Sequence, residues 1–289
     1  MNFKGESFID NGGFMNKLLR LIKRNDIDFS GKIIDKSQVK LEWWNKKDNV
    51  GDYLSNIVYN WMTKDINLNT PRKKGIHLMT IGSLIGGANF DATIWGSGIL
   101  DLSLVKAIYK KSWFINYDIR AVRGPLTKEV LSIAGYDCSN VTMGDPAILM
   151  PLIYKKNSEV ILKKNKYCII NHYVNENEIY KEANVTCISA GTTDYKMFID
   201  TILSSEIVIS SSLHGIILAE AYGIPAIYCC KNLENSLFKI YDYYYSTGRY
   251  NVVISRSIEE AFSLIPMDLP DLSIMQKKLI ESFPVDLWK

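Results

Sequence analysis

No apolar run in this chain reaches the roughly 20 residues that a membrane-spanning helix needs. No secretory leader is expected either, because the apolar stretch near the N-terminus is short and broken by Lys and Arg. Cysteine is scarce: Cys138, Cys168, Cys187, Cys229 and Cys230 make an odd set without C-x-x-C spacing. That argues against a disulfide framework or a zinc site, and for thiols in a reducing cytosol. One-sided charge is missing too. A net charge of +3 is too small to argue for nucleic acid, and ribonucleoprotein motifs and long basic runs are absent. Internal repeats and low-complexity linkers are not visible. What remains is 289 residues, 47% hydrophobic and 22% charged, a globular composition long enough for two domains or one large one.

Phe14 to Arg24 forms an amphipathic pattern. Phe14, Met15, Leu18, Leu19, Leu21 and Ile22 share one side, and Lys17, Arg20, Lys23 and Arg24 face away. Such a helix suits peripheral contact with an anionic membrane surface. A helix packed on its own domain with a solvated basic face is the preferred alternative.

Strand and helix signals alternate along the chain. Lys40 to Trp44 is strand-like, and Gly51 to Thr63 carries apolar residues at helical spacing. Ile76 to Ile81 and Ala92 to Trp95 are short β-rich runs followed by glycines. Trp113 to Val122 reads as a strand or pair of strands, and Pro125 opens a helix that Gly135 stops. The charged stretch Lys155 to Lys166 reads as a linker, after which the alternation restarts. This predicts an α/β fold of two Rossmann-like domains around a cleft, residues 1–155 and 156–289. The tail from Ser257 is helical in pattern and would pack back on the first domain.

The most informative segment is Ile207 to Pro225. A β-branched run ends at Ser210-Ser211-Ser212, His214 and Gly215 follow, and small and apolar residues then recur at helical spacing. This predicts a strand, a polar turn and a helix whose N-terminus suits an anion. A serine cap with a histidine packed beside it is the plain alternative. Asn49 to Asp52 follows a strand and opens a helix. Gly51 permits close backbone approach, and Asp52 can cap or bind a hydroxyl. Gly96-Ser97-Gly98 suits a ligand near the backbone or an ordinary βα turn. Arg123, before Pro125, could grip a carboxylate or phosphate in a bidentate way. Asp145 in Gly144-Asp145-Pro146 reads as mainly structural. Lys239 and Arg249 flank an aromatic run, an anion or sugar subsite or a helix with half-buried tyrosines. His172 at a strand end is a weaker candidate proton carrier, and His77 within a strand reads as structural.

In order, Asn49-Val50-Gly51-Asp52, Gly96-Ser97-Gly98, Arg123 to Thr127, Gly144-Asp145-Pro146, Ser210 to Gly215 and Gly223-Ile224-Pro225 resemble the polysaccharide pyruvyltransferase family. The set covers roughly residues 40 to 250, and no member of it is specific alone. Phe238-Lys239, Asp242-Tyr243-Tyr244 and Gly248-Arg249 resemble the exopolysaccharide ketal-pyruvate transferase branch. The resemblance implies a glycosyltransferase-B-like arrangement of the two domains. It implies phosphoenolpyruvate as donor and a saccharide acceptor, free or lipid-linked, with no cofactor or metal required. The product would be a cyclic pyruvate ketal on an exopolysaccharide or other surface glycan. His214 would carry protons, Arg123 would hold donor charge, and Ser211, Ser212, Gly215, Lys239 and Arg249 would bind the donor. Asn49, Gly51, Asp52, Gly98 and His172 would line the acceptor side or the cleft. Many family members carry arginine where this chain has Ser212, so Lys231, Lys239 or Arg249 would supply that charge. Two rivals follow from the same residues: a nucleotide-sugar glycosyltransferase of the same architecture, and a non-catalytic glycan-binding protein. The expected location is cytoplasmic, with peripheral contact at the inner membrane face through Phe14 to Arg24 as the accessory reading.

Overall fold

A computed structural model describes residues 24–69, 71, 76–155, 163–171, 183–230 and 237–288. The chain is an α/β protein with two parallel five-stranded sheets, each wrapped by helices. The first sheet is built from β1 (Lys40–Glu42), α1 (Val50–Thr63), β2 (His77–Met79), β3 (Ala92–Trp95), α2 (Val105–Lys111), β4 (Tyr117–Val122), α3 (Pro125–Ile133) and β5 (Thr142–Met143). Its strands lie side by side in chain order. In α1, Val50, Leu54 and Val58 recur every fourth residue and form the buried stripe. Of the two roles open to Asp52, the cap falls to Asn49, its Oδ1 accepting from the Gly51 and Asp52 amides at 2.9 and 3.5 Å. Pro125 occupies the first turn of α3, and Gly135 ends it with φ +94°. Trp113 and Phe114 depart from the expected strand. The amide of Ile115 still bonds back to the Lys111 carbonyl, so they belong to a turn after α2 and β4 starts later.

A 3₁₀ turn (Pro146–Leu149) and short α4 (Met150–Ile153) lead to the second sheet. It contains β6 (Asn165–Asn171), β7 (Val185–Ser189), α5 (Tyr195–Leu203), β8 (Ser205–Ser210), α6 (Leu213–Ala221), β9 (Ala226–Cys229), α7 (Leu237–Ser246) and β10 (Ile254–Ser255). The order is β10-β9-β8-β6-β7. Construction therefore reverses direction between β6 and β8, and in such sheets the crevice at this switch point is where ligands bind. Ile170 of β6 pairs with Ser210 of β8 there.

Helix α6 is buried from Leu213 through Glu220, because it lies between its own sheet and the first unit. One apolar cluster accordingly runs through both units, including Leu54 and Val58 of α1, Phe198 of α5 and Ile216 and Ile217 of α6. Helices α8 (Ile258–Ser263) and α9 (Ser273–Glu281) complete the chain. The last of these and the 3₁₀ turn after it (Val285–Leu287) lie against the first sheet: Trp95 Nε1 donates to the Leu279 carbonyl at 3.0 Å, and Arg120 grips Asp286 with two bonds of 3.0 and 2.8 Å. Among the described residues no helix is long and apolar enough to cross a membrane. The amphipathic Phe14–Arg24 segment falls almost wholly outside the described residues, as do His172 and Lys231.

Candidate active site

Parallel strands end on one side of each sheet, and the loops that follow them converge between the two units. His214 is the second residue of α6, four positions after β8 ends. Its ring rests on the first unit. A Cβ placed on Gly51 would stand 1.9 Å from Nδ1, so the imidazole occupies the space that glycine leaves open. The other ring nitrogen, Nε2, is buried and makes no hydrogen bond within the described structure. It faces the Oδ2 of Asp145 at 3.6 Å, longer than a hydrogen bond but close for an ion pair. The second carboxylate oxygen of Asp145 accepts from the Ala147 amide at 3.0 Å, which fixes the group's direction. Asp145 is thus a turn residue, as its sequence suggests, and also a neighbour of the histidine.

Asp52 completes the acidic side. The cap at Asn49 starts α1 so that Asp52 falls in its first turn. A Cβ on Gly82 would lie 2.7 Å from Asp52 Oδ1, so the loop after β2 closes tightly on this carboxylate. Burial, together with the nearby Asp145 charge, pushes the Asp52 carboxyl up to about 6, with His214 and Lys239 pulling the other way. Lys239, in the first turn of α7, is pushed below the usual ammonium range by burial and by the Arg123 charge, while Asp52 opposes that shift. Two carboxylates, one imidazole and one ammonium therefore feel one another's fields, drawn from four separate chain segments. A buried polar atom without a partner beside titratable groups with perturbed protonation is a common feature of a reaction centre.

Arg123 sits behind this group and is only 1% exposed. Nε donates to Asp242 Oδ2 at 3.1 Å, Nη1 to Ser83 Oγ at 2.8 Å and Nη2 to the Ile99 carbonyl at 2.6 Å. A Cβ on Gly98 would fall 2.4 Å from the guanidinium carbon, so Gly98 provides a flat bed for it. Asp242 of α7 also accepts from the amide and hydroxyl of Thr127 at 3.0 and 2.6 Å. The expected open grip on a donor anion is replaced here by a buried clamp between the units. The charge still reaches the site through its effect on Lys239.

The serine turn is divided in function. Ser210 Oγ donates to the Ser212 carbonyl at 2.9 Å and accepts from the Ser212 amide at 3.0 Å, holding the turn closed. Ser211 Oγ bonds the Ile170 carbonyl at 3.3 Å across the switch point. Ser212 holds the cap position of α6 with no side-chain cap bond, so the first N–H groups of the helix have no cap from that side chain. A Cβ on Gly215 would stand 2.3 Å from Ser210 Oγ, which makes this glycine a packing requirement. Arg249 is not brought to the cluster. It forms a two-bond pair with Glu220 at 2.7 and 2.6 Å and lies over the Tyr244 ring, its guanidinium carbon 4.7 Å from the centroid. Glu220 lies six residues beyond His214 on α6, about 9 Å along the axis. His77 is structural: Nδ1 bonds Glu42 at 2.9 Å and the ring stacks on Phe90 at 4.0 Å.

Asp242 and Glu220 were not legible as functional partners, because each meets an arginine far away in sequence. Asp145 carried a signal in its turn motif, but only the fold reveals its second neighbour.

Comparison with known proteins gives four matches. Residues 15–232 match the sequence model of the family described as polysaccharide pyruvyl transferase. An uncharacterized protein of Acanthamoeba polyphaga mimivirus is 31% identical over 178 residues, and the match spans 58% of this chain and 58% of that protein. Among solved structures, an uncharacterized protein from Klebsiella pneumoniae is similar at 16% identity and TM-score 0.44, over 81% of this chain and 94% of the other. The wall teichoic acid polymerase TagF, in a variant form, is similar at 10% identity and TM-score 0.45, over 99% and 93%.

Proposed function

The chain belongs to the polysaccharide pyruvyl transferase family, and from that premise we propose that it moves pyruvate from phosphoenolpyruvate onto two hydroxyls of a saccharide as a cyclic ketal. Phosphate is the leaving group. The acceptor is a surface glycan or its precursor, free or carried on a lipid.

The reaction balances as follows. One hydroxyl oxygen bonds to C2 of the enol while C3 takes up a proton and becomes a methyl group. The C2–O bond to phosphate then breaks, the second hydroxyl closes the ring at C2, and its proton leaves with the phosphate. The protein must supply an acid for C3, a base for the first hydroxyl and positive charge for the two anionic groups. His214 fits the acid, since imidazole changes charge near neutral pH and its Nε2 has no other bond. Asp52 fits the base, because burial holds its carboxyl near the pH at which a proton can be taken and returned. Asp145, 3.6 Å from Nε2, aims the imidazole. Lys239 and the α6 N-terminus, through Ser211, Ser212 and the amides beyond them, receive the anions.

The observation that carries this reading is the unbonded Nε2 of His214, 3.6 Å from Asp145 and seated against Gly51. Ligand-induced thermal stabilisation tests it against a nucleotide-sugar enzyme. Phosphoenolpyruvate is expected to raise Tm, and the His214→Ala variant to lose most of that rise. Stabilisation by a nucleoside diphosphate and not by phosphoenolpyruvate would contradict the proposal.

A further inference from the structure

We infer that the outer face of the segment from Leu102 to Phe114 is a docking surface for anionic phospholipid headgroups. The face lies on the flank of the first unit, outside the candidate active site. Leu102, Lys106, Tyr109, Lys110 and Trp113 recur at spacings of four, three, one and three, which puts them on one side of the helical segment. Trp113 is 82% exposed, Leu102 67% and Tyr109 53%, and Phe114 adds a further exposed ring. The opposite side is tied down. Ile108 is buried against the loop at Gly86, and Lys111 Nζ donates to the carbonyls of Gly86 and Ala88 at 2.7 and 3.0 Å. The exposed rings are therefore carried on a fixed platform.

Charge decides the partner. No acidic residue occurs between Asp101 and Asp118. Asp101 is engaged in capping Ser103, and Asp118 is paired with Arg120. Lys106 and Lys110 are exposed and enter no ion pair among the described residues. Lysine is depleted at protein–protein interfaces. Tryptophan and tyrosine beside lysine are the residues that settle at a headgroup layer, rings at the interface and ammonium groups toward phosphate. The surface is a convex helix face rather than a groove, which suits a plane. Ile133, at the end of α3, is a further exposed apolar side chain on the helix that packs beside α2.

The Leu102 end of the face lies three residues from Ile99, whose carbonyl holds Arg123 behind the site. The docking inference stands whatever chemistry the cleft performs.

Co-sedimentation of the full chain with vesicles tests it. Phosphatidylcholine vesicles containing phosphatidylglycerol are expected to carry the protein down, and phosphatidylcholine alone to do so much less. Trp113→Ala with Phe114→Ala, and separately Lys106→Glu with Lys110→Glu, are each expected to weaken binding to the anionic vesicles on the order of tenfold or more. All four side chains are exposed, so Tm should change little in either variant. No binding by the parent, or undiminished binding by both variants, overturns the inference. So does a dimer of the parent that dissociates in the aromatic variant, which would make a second copy the occupant.

Discussion

The Nε2 of His214 and the Oδ2 of Asp145 stand 3.6 Å apart, although they lie 69 positions apart in the chain, with β6, β7, α5 and β8 between them. One belongs to the first turn of a helix in the second unit. The other lies in a turn that closes the first sheet. The pair therefore exists only when both units are folded and packed, so chemistry at His214 reports on the interface as well as on the residue.

Removing the imidazole removes the proposed acid. His214→Ala and His214→Gln are expected to lower kcat by about 10²–10⁴-fold while leaving the circular dichroism spectrum unchanged. Asp145→Asn retains the cap on Ala147 and is expected to lower kcat less, with a shifted pH profile. A pH–rate profile that is the same as in the parent would remove Asp145 from the mechanism.

Gly51→Ala separates space from chemistry. The added methyl falls 1.9 Å from Nδ1, so the ring must leave its seat. Activity is expected to drop nearly as far as in His214→Ala, with an intact fold. A crystal structure of the variant should show the imidazole displaced, and an unmoved ring with full activity would contradict the geometry.

Asp52 titrates in a readable window. Its folded pKa, about 6, lies above the ordinary carboxylate value of 3.8. The folded state therefore binds this proton more tightly than the unfolded chain does. The stability it contributes is present below about 3.8 and is lost as pH rises through about 6. Denaturant melts should show the parent losing stability relative to Asp52→Asn across that interval. The kcat/KM profile of the parent should show an acid limb near pH 6.

The two buried arginine pairs are expected to behave differently from binding residues. Asp242→Ala leaves the Arg123 charge buried without its partner and should cost about 3–5 kcal/mol in a denaturant melt. Arg249→Ala breaks the pair with Glu220 and should also lower Tm, yet leave KM for phosphoenolpyruvate nearly unchanged, because that side chain lies away from His214. A large rise in KM for the folded Arg249→Ala variant would return Arg249 to the donor site.

Local chemistry made much of this readable from sequence. Proline at the start of α3 and Gly135 after it delimit that helix, and the polar stop after Ile207 to Ile209 marks the β8–α6 turn. Strand ends in parallel sheets lie on one side, so the sequence places the turns carrying Asn49, Gly98 and His214 on the same side of their sheets; in the structure His214 rests on Gly51, two residues past Asn49, while Gly98 beds Arg123. What could not be read was pairing at long range. Arg123 reads as an open cation because its partner Asp242 lies 119 residues on, in an aromatic helix with no acidic pattern. Arg249 reads the same way because Glu220 is embedded in an otherwise apolar helix. The segment after α2 has the β-propensity of a strand, but a continuing helical hydrogen bond to Lys111 wins, and Trp113 is left on the surface.

The central claim is that His214, with Asp52 and Asp145, performs pyruvyl transfer. The most direct measurement is release of phosphate from phosphoenolpyruvate by the purified chain, with and without a saccharide acceptor, alongside NMR detection of the new ketal methyl group. The account predicts acceptor-dependent release, one ketal per phosphate, and near-complete loss in both His214→Ala and Asp52→Asn. Full turnover in those two variants, or phosphate release without any ketal, would contradict it.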